Sequence, residues 1–113
     1  MAITKVLASV PVADLQASLA WYARLFGRPA DDIPMPESAE WHLTASGSLQ
    51  LVHNPDHAGM GYVTLVVDDI DRQIAAVAEG GLELRHAPGA MFRLATIRDP
   101  DGNVLTFAHD VRR

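Results

Sequence analysis

The chain of 113 residues predicts an α+β fold made of two βαβββ modules. Two observations carry this. The order strand, helix, strand, strand, strand can be read twice along the chain. The first passage from strand to helix, Val10-Pro11-Val12-Ala13-Asp14-Leu15, is also matched by a second, Leu65-Val66-Val67-Asp68-Asp69-Ile70. A repeat of this kind is stronger evidence for a fold than any single motif, because each copy is one supersecondary unit that needs its neighbour to bury its apolar face.

Ile3 to Val12 reads as the first strand, with Ala8, Val10 and Val12 alternating with Leu7, Ser9 and Pro11. Asp14 is a good N-cap, since its carboxylate accepts from the free amides of a first helical turn. Leu15, Leu19, Tyr22, Leu25 and Phe26 then recur at helical spacing as one apolar stripe, and Gly27 ends the helix. Arg28 to Glu40 contains Pro29, Pro34 and Pro36 and reads as loop or edge strand. Trp41 to Ala45 and Leu49 to His53 read as two strands joined across Ser46-Gly47-Ser48. Asn54 to Gly59 is turn-rich and marks the joint between modules. The second module repeats the plan. Gly61 to Val67 is a strand, and Asp68-Asp69 opens a helix carrying Ile70, Ile74, Val77 and Ala78. Gly80-Gly81 stops that helix. Leu82 to His86, Phe92 to Arg98 and Val104 to Ala108 are the last strands. The expected organisation is one domain over residues 1–113, with modules at about 1–54 and about 60–110.

A hydrophobic share of 49% and a charged share of 20% are ordinary for a globular domain long enough to bury its own core. The absence of cysteine excludes disulfides, thiolate zinc sites and cysteine nucleophiles. No apolar run approaches the ~20 residues that span a bilayer, and no signal-peptide layout is present, so a cytoplasmic location is expected. A net charge of −5 argues against nucleic acid or an anionic membrane as partner and mildly favours cationic ligands.

Asp14 and Asp69 are explained as helix caps. Arg98-Asp99-Pro100-Asp101-Gly102-Asn103 is explained as a tight turn in which Pro100 fixes φ and Asp99 bonds back to the backbone. The five histidines, His42, His53, His57, His86 and His109, show neither HxH nor HExxH spacing. His42 and His53 lie on the two hairpin strands, where they either converge or stay partly exposed. Ser9 lacks the elbow of a serine nucleophile. Glu37 and Glu40, like Asp31 and Asp32, fall in the proline-rich segment and would give the mouth of a site negative potential.

The stretch from Val10 through Asp14 to Trp21-Tyr22, paired with the turn at Arg98 to Asn103, resembles the vicinal oxygen chelate superfamily. That family includes glyoxalase I, the extradiol dioxygenases and the bleomycin and fosfomycin resistance proteins. The resemblance covers nearly the whole chain. It implies the glyoxalase/bleomycin resistance/dioxygenase fold, in which a curved sheet forms a cup whose floor often holds a metal, and a homodimer that completes the cup. Carried onto this chain, the four ligand positions fall at Leu7, Gln50, Tyr62 and Thr106. Leu7 has no donor atom and Thr106 is a poor neutral one, whereas divalent metals need several converging imidazole or carboxylate groups. No metal, cofactor or catalytic residue is therefore expected.

By alternation, the cup lining comprises Leu7, Ser9, Gln50, Val52, Tyr62, Thr64, Val104 and Thr106, with Trp41 or His42 and Met91 or Phe92 near the mouth. The expected ligand-binding set is Leu7, Ser9, Trp41, Gln50, Tyr62, Thr64, Phe92 and Thr106. No basic residue is expected on the floor unless the strand of Arg93 runs in the opposite phase. The resulting expectation is a metal-free binder, similar to bleomycin resistance proteins, for an apolar or aromatic, neutral or cationic small molecule. The alternative is a metal-dependent lyase, isomerase or dioxygenase with a displaced site at His42, His53 and Gln50. A third reading is a degenerate domain that serves dimerisation.

Overall fold

The computed structural model describes residues 2–87 and 92–110. The first module contains β1 (Val6–Val12), α1 (Leu15–Phe26), β2 (Asp32–Met35), β3 (Ser38–His42) and β4 (Gly47–His53). The second contains β5 (Tyr62–Val66), α2 (Ile70–Glu79), β6 (Arg85–Ala87), β7 (Phe92–Arg98) and β8 (Val104–Asp110). Each module forms one four-stranded mixed sheet, ordered β1-β4-β3-β2 in sheet A and β5-β8-β7-β6 in sheet B. In each, the first strand pairs parallel to the last and the others are antiparallel.

The local chemistry explains the elements. Asp14 Oδ1 accepts from the Ala17 amide at 3.1 Å, and Asp69 Oδ1 accepts from the Arg72 amide at 3.1 Å, so each helix starts on a side-chain cap. Gly27 closes α1 at φ 73°, a left-handed position that suits glycine. The guanidinium of Arg24, in the last turn of α1, donates to the carbonyls of Gly80 and Gly81 at 2.9 and 3.1 Å, supplying partners for the C-terminal end of α2. Pro34 lies in β2, the outermost strand, where a missing amide costs no ladder bond. No helix among the described residues is long and apolar enough to cross a membrane.

The helices cover one face of the sheets. Val10, Val12, Leu49 and Leu51 from sheet A and Val63, Leu105 and Phe107 from sheet B share one core with Leu15, Tyr22, Leu25, Ile70 and Val77 of the helices. Trp41 is fully buried there. Its ring centroid lies 6.0 Å from Tyr22 and 5.8 Å from Phe26, and its indole N–H donates to the Arg28 carbonyl at 3.0 Å. The sheets meet along their β1 and β5 edges. Pro11 approaches Gly61 at one end, and Val6 and Ala8 share a hollow with Leu65 towards the other, so the two strands run in opposite directions.

One hairpin is displaced from its expected place. β3 occupies Ser38–His42 rather than Trp41–Ala45, and the chain turns at Leu43 and Thr44, whose amides both donate to the Gly47 carbonyl. The prolines at 34 and 36 make this stretch look like a loop by composition. Its alternation fits the observed strand better, with Ala39 and Trp41 in the core and Ser38, Glu40 and His42 on the opposite side.

A buried polar clasp joins the modules. Asp99 is almost fully buried, and its Oδ1 accepts from the amides of Asp101 and Asn103, both at 2.9 Å. Its Oδ2 accepts from the Tyr22 hydroxyl of α1 and from Asn103 Nδ2, both at 2.8 Å. Asn103 Nδ2 also donates to the Pro11 carbonyl at 2.8 Å, while Asn103 Oδ1 accepts from the Gly61 amide at 2.6 Å. A Cβ at residue 61 would lie 2.7 Å from that Oδ1, so only glycine fits. Burial, then the Asp99 charge, push the Tyr22 hydroxyl well above its ordinary pKa, so it stays a donor throughout the working pH range.

Tyr22→Phe removes one charge-assisted hydrogen bond and is expected to lower the unfolding free energy by about 1.5–3 kcal/mol. Asn103→Ala removes the inter-module bond to Pro11 together with the bonds to Gly61 and Asp99, and should cost more. Urea denaturation checks both values. A loss below about 0.5 kcal/mol in each variant would show that the clasp does not hold the modules.

Candidate functional site

Side chains alternate across a strand, so the face turned away from the helices follows from the register. On sheet A, the pairings Ser9–Gln50, Gln50–Glu40 and Glu40–Asp32 set four residues in one row across all four strands. On sheet B, the pairings Thr64–Thr106, Thr106–Thr96 and Thr96–Arg85 set the equivalent row. The repeat that builds the fold thus also builds two matched polar rows. They begin at neighbouring edge strands and end on an acidic residue in one sheet and a basic residue in the other.

The row of sheet A is internally bonded. Ser9 Oγ donates to Gln50 Oε1 at 2.8 Å. Glu40, only 7% exposed, accepts from Lys5 Nζ at 3.0 Å, and His42 Nε2 lies 3.7 Å from the same oxygen. The row of sheet B is less satisfied, for Thr106 Oγ1 is enclosed without a hydrogen-bond partner among the described residues. Ser38 Oγ beside the other row is in the same condition. A hollow of about 490 Å³ opens on sheet B between Glu83, Arg85, Thr96, Ile97, Arg98 and Val104.

Of the expected ligand-binding residues, Leu7, Ser9, Gln50, Tyr62, Thr64 and Thr106 lie on this face by register. Leu7 is 43% exposed and Tyr62 73%. Leu7 pairs with Ser48 and Tyr62 with Val104, so each stands one step along its strand from the row. Trp41 is a correction. It belongs to the opposite face, where α1 covers it completely, and it offers no ring to a ligand. The side chain of Phe92, like all of Met91, lies outside the described residues.

Arg93 makes two hydrogen bonds to Asp71 of α2, at 3.1 and 2.9 Å, and so lies on the helix side. The expectation of a floor free of basic residues still fails, because Arg85 and Arg98 share the open face with Thr96. The sequence leaves open the phase of β7, and so of Arg98, places β6 at Leu82 to His86, and assigns Glu40 to the proline-rich segment. The alternation Ser38-Glu40-His42 against Ala39-Trp41 was the signal for Glu40.

The donors present do not fit a resident metal. Leu7 contributes none, Tyr62 and Thr106 are not paired, and Glu40 is the one carboxylate beside Gln50. His42 pairs with Ser48 at one end of the hairpin, whereas His53 closes the other end of β4, so a displaced site at His42, His53 and Gln50 does not assemble. Among the described residues no group of three histidine, aspartate or glutamate side chains is placed to hold a metal ion.

Comparison with known proteins agrees with this architecture. The family model for the Glyoxalase/Bleomycin resistance protein/Dioxygenase superfamily matches residues 4–107. A glyoxalase/bleomycin resistance protein from Catenulispora acidiphila DSM 44928 is 34% identical, with TM-score 0.88 over 93% of this chain and 96% of that one. TnmS3, an antibiotic binding protein from Streptomyces sp. CB03234, is 30% identical, with TM-score 0.76 over 97% and 98%. A bleomycin-binding protein in complex with bleomycin shares the fold at 17% identity, with TM-score 0.73 over 94% and 98%. No curated protein sequence matches. With its two βαβββ modules and this family match over nearly its full length, the chain belongs to the Glyoxalase/Bleomycin resistance protein/Dioxygenase superfamily.

Proposed function

We propose that this protein binds a flat, largely apolar or aromatic small molecule without a metal and without changing it chemically. The observation that carries the reading is the pair of polar rows: of the four chelating positions that the resemblance implies, Gln50 and Thr106 lie in these rows, and neither is an imidazole or a carboxylate. Leu7 and the exposed Tyr62 ring flank these groups, giving the mix of apolar surface and a few orienting donors that small-molecule sites share. The antibiotic-binding relative supports the same class of role. A cationic group of the ligand would be received on sheet A, beside Glu40. Sheet B, with Arg85 and Arg98, is unsuited to one.

The proposal includes a homodimer. Leu7, Tyr62 and Val66 stand on the open face of the two edge strands and are all exposed in the single chain. An apolar stretch of this kind favours association, and a second copy laid across it would turn an open face into a cup. It also takes residues 1–113 as one domain working in the cytoplasm.

Three outcomes are expected. Protein purified without a histidine tag and dialysed should retain no stoichiometric zinc, nickel, manganese or iron, and added metal should not elicit turnover of methylglyoxal with glutathione. Tightly held metal or restored turnover would overturn the reading. Light scattering at micromolar concentration should give the mass of a dimer, and a monomer would contradict the proposed cup. Tyr62→Ala should weaken binding of a flat neutral probe such as 2-naphthol by about three- to tenfold, the loss of one aromatic contact. Unchanged affinity, read by calorimetry, would remove Tyr62 from the site.

A further inference from the structure

We propose that the open face of sheet B carries a subsite for an acidic group on the ligand, a carboxylate or a phosphate ester, received by Arg85 and Arg98. The inference rests on the binding role above and narrows the ligand class to molecules that join a flat apolar body to an oxyanion. It departs from the sequence-based expectation of a neutral or cationic ligand.

Two observations converge. First, Arg85 pairs with Thr96 and Arg98 with Val104, and both arginines border the same hollow of about 490 Å³. Neither has a carboxylate within ion-pair distance among the described residues, in contrast to Arg28 and Arg93. Glu83 borders the hollow too and offsets one of the two guanidinium charges, which leaves a net positive site. Second, Arg98 uses Nη1 on the Gly102 carbonyl at 3.2 Å, a contact that fixes the side chain at the β7–β8 turn and leaves its other N–H groups for an acceptor.

Arginine suits this task because its planar fork gives two parallel, charge-assisted bonds to a carboxylate or phosphate. The other row carries Asp32 at the position that matches Arg85 and Glu40 at the position that matches Thr96, so the two halves of the face differ in sign although they share one plan. A ligand spanning both rows would be oriented by that difference, with its acidic end on sheet B.

The test compares four probes on one ring system: 2-naphthol, 2-naphthoate, 2-naphthyl phosphate and 2-naphthylmethylammonium, titrated by calorimetry against the unmodified protein and Arg85→Gln. At least one anionic probe should bind about tenfold or more tighter than 2-naphthol. The stronger anion identifies the group recognised. Arg85→Gln should bring that anion to within about threefold of 2-naphthol while leaving 2-naphthol itself unchanged. Arg85→Lys should recover part of the difference, since it keeps the charge and loses the fork. Equal affinity of all probes, a preference for the ammonium, or anion binding indifferent to Arg85→Gln would overturn the subsite while leaving the binding role intact. Failure of every probe to bind would overturn both. Arg85 is exposed, so the variants should unfold at the same denaturant concentration as the parent, and this separates lost recognition from lost structure.

Discussion

The structure depends on one buried carboxylate. Asp99 has no cationic partner among the described residues. It is held instead by four hydrogen bonds, two from its own turn, one from Asn103 and one from Tyr22 of the other module. A buried charge left short of partners costs several kcal/mol, so this constellation forms completely or not at all. Through Asn103 it reaches Pro11 at the end of β1 and Gly61 just before β5. Those contacts set the two edge strands side by side, and the open face is continuous across them for that reason. The turn that sequence motifs make so conspicuous therefore acts on function at a distance. Asp99 and Asn103 spend their polar groups on the chain itself and fix where the two polar rows stand relative to each other.

Much of this was legible in the sequence. The caps at Asp14 and Asp69, the stop at Gly27 and the span of β7 are local chemistry, and local chemistry is what single residues report. The duplicated passage from strand to helix gave the fold class, and with it the face on which Ser9, Gln50, Thr64 and Thr106 lie. What could not be read was the placement of the outer strands. β3 hides in a proline-rich stretch, and a shift of three residues turns every side chain over. That shift sent Trp41 to the site and Glu40 to a loop, the reverse of their true positions. The contribution of Arg85 depends on pairing between β6 and β7, a non-local fact that no spacing within the chain encodes.

The two rows also bear on the proposed metal-free binding. The repeat keeps two positions per module pointing at the open face. Chelation needs at least three converging strong donors, whereas binding needs only shape and a few hydrogen bonds. At the positions that the resemblance assigns to ligands this chain carries Leu7, Gln50, Tyr62 and Thr106, which present hydroxyl, amide and aromatic groups on the open face. Fold membership fixes the geometry of the face, and the side chains on it decide the chemistry.

The most direct test of this account is amide chemical-shift mapping with a flat aromatic probe such as 2-naphthol, recorded in the presence of a chelator. The account predicts saturable shifts concentrated at Ser9, Gln50, Tyr62, Thr64 and Thr106, with Trp41 and the buried side of α1 undisturbed. Saturable shifts centred on α1 and the core around Trp41, or binding that appears only when the chelator is replaced by a divalent metal, would contradict it.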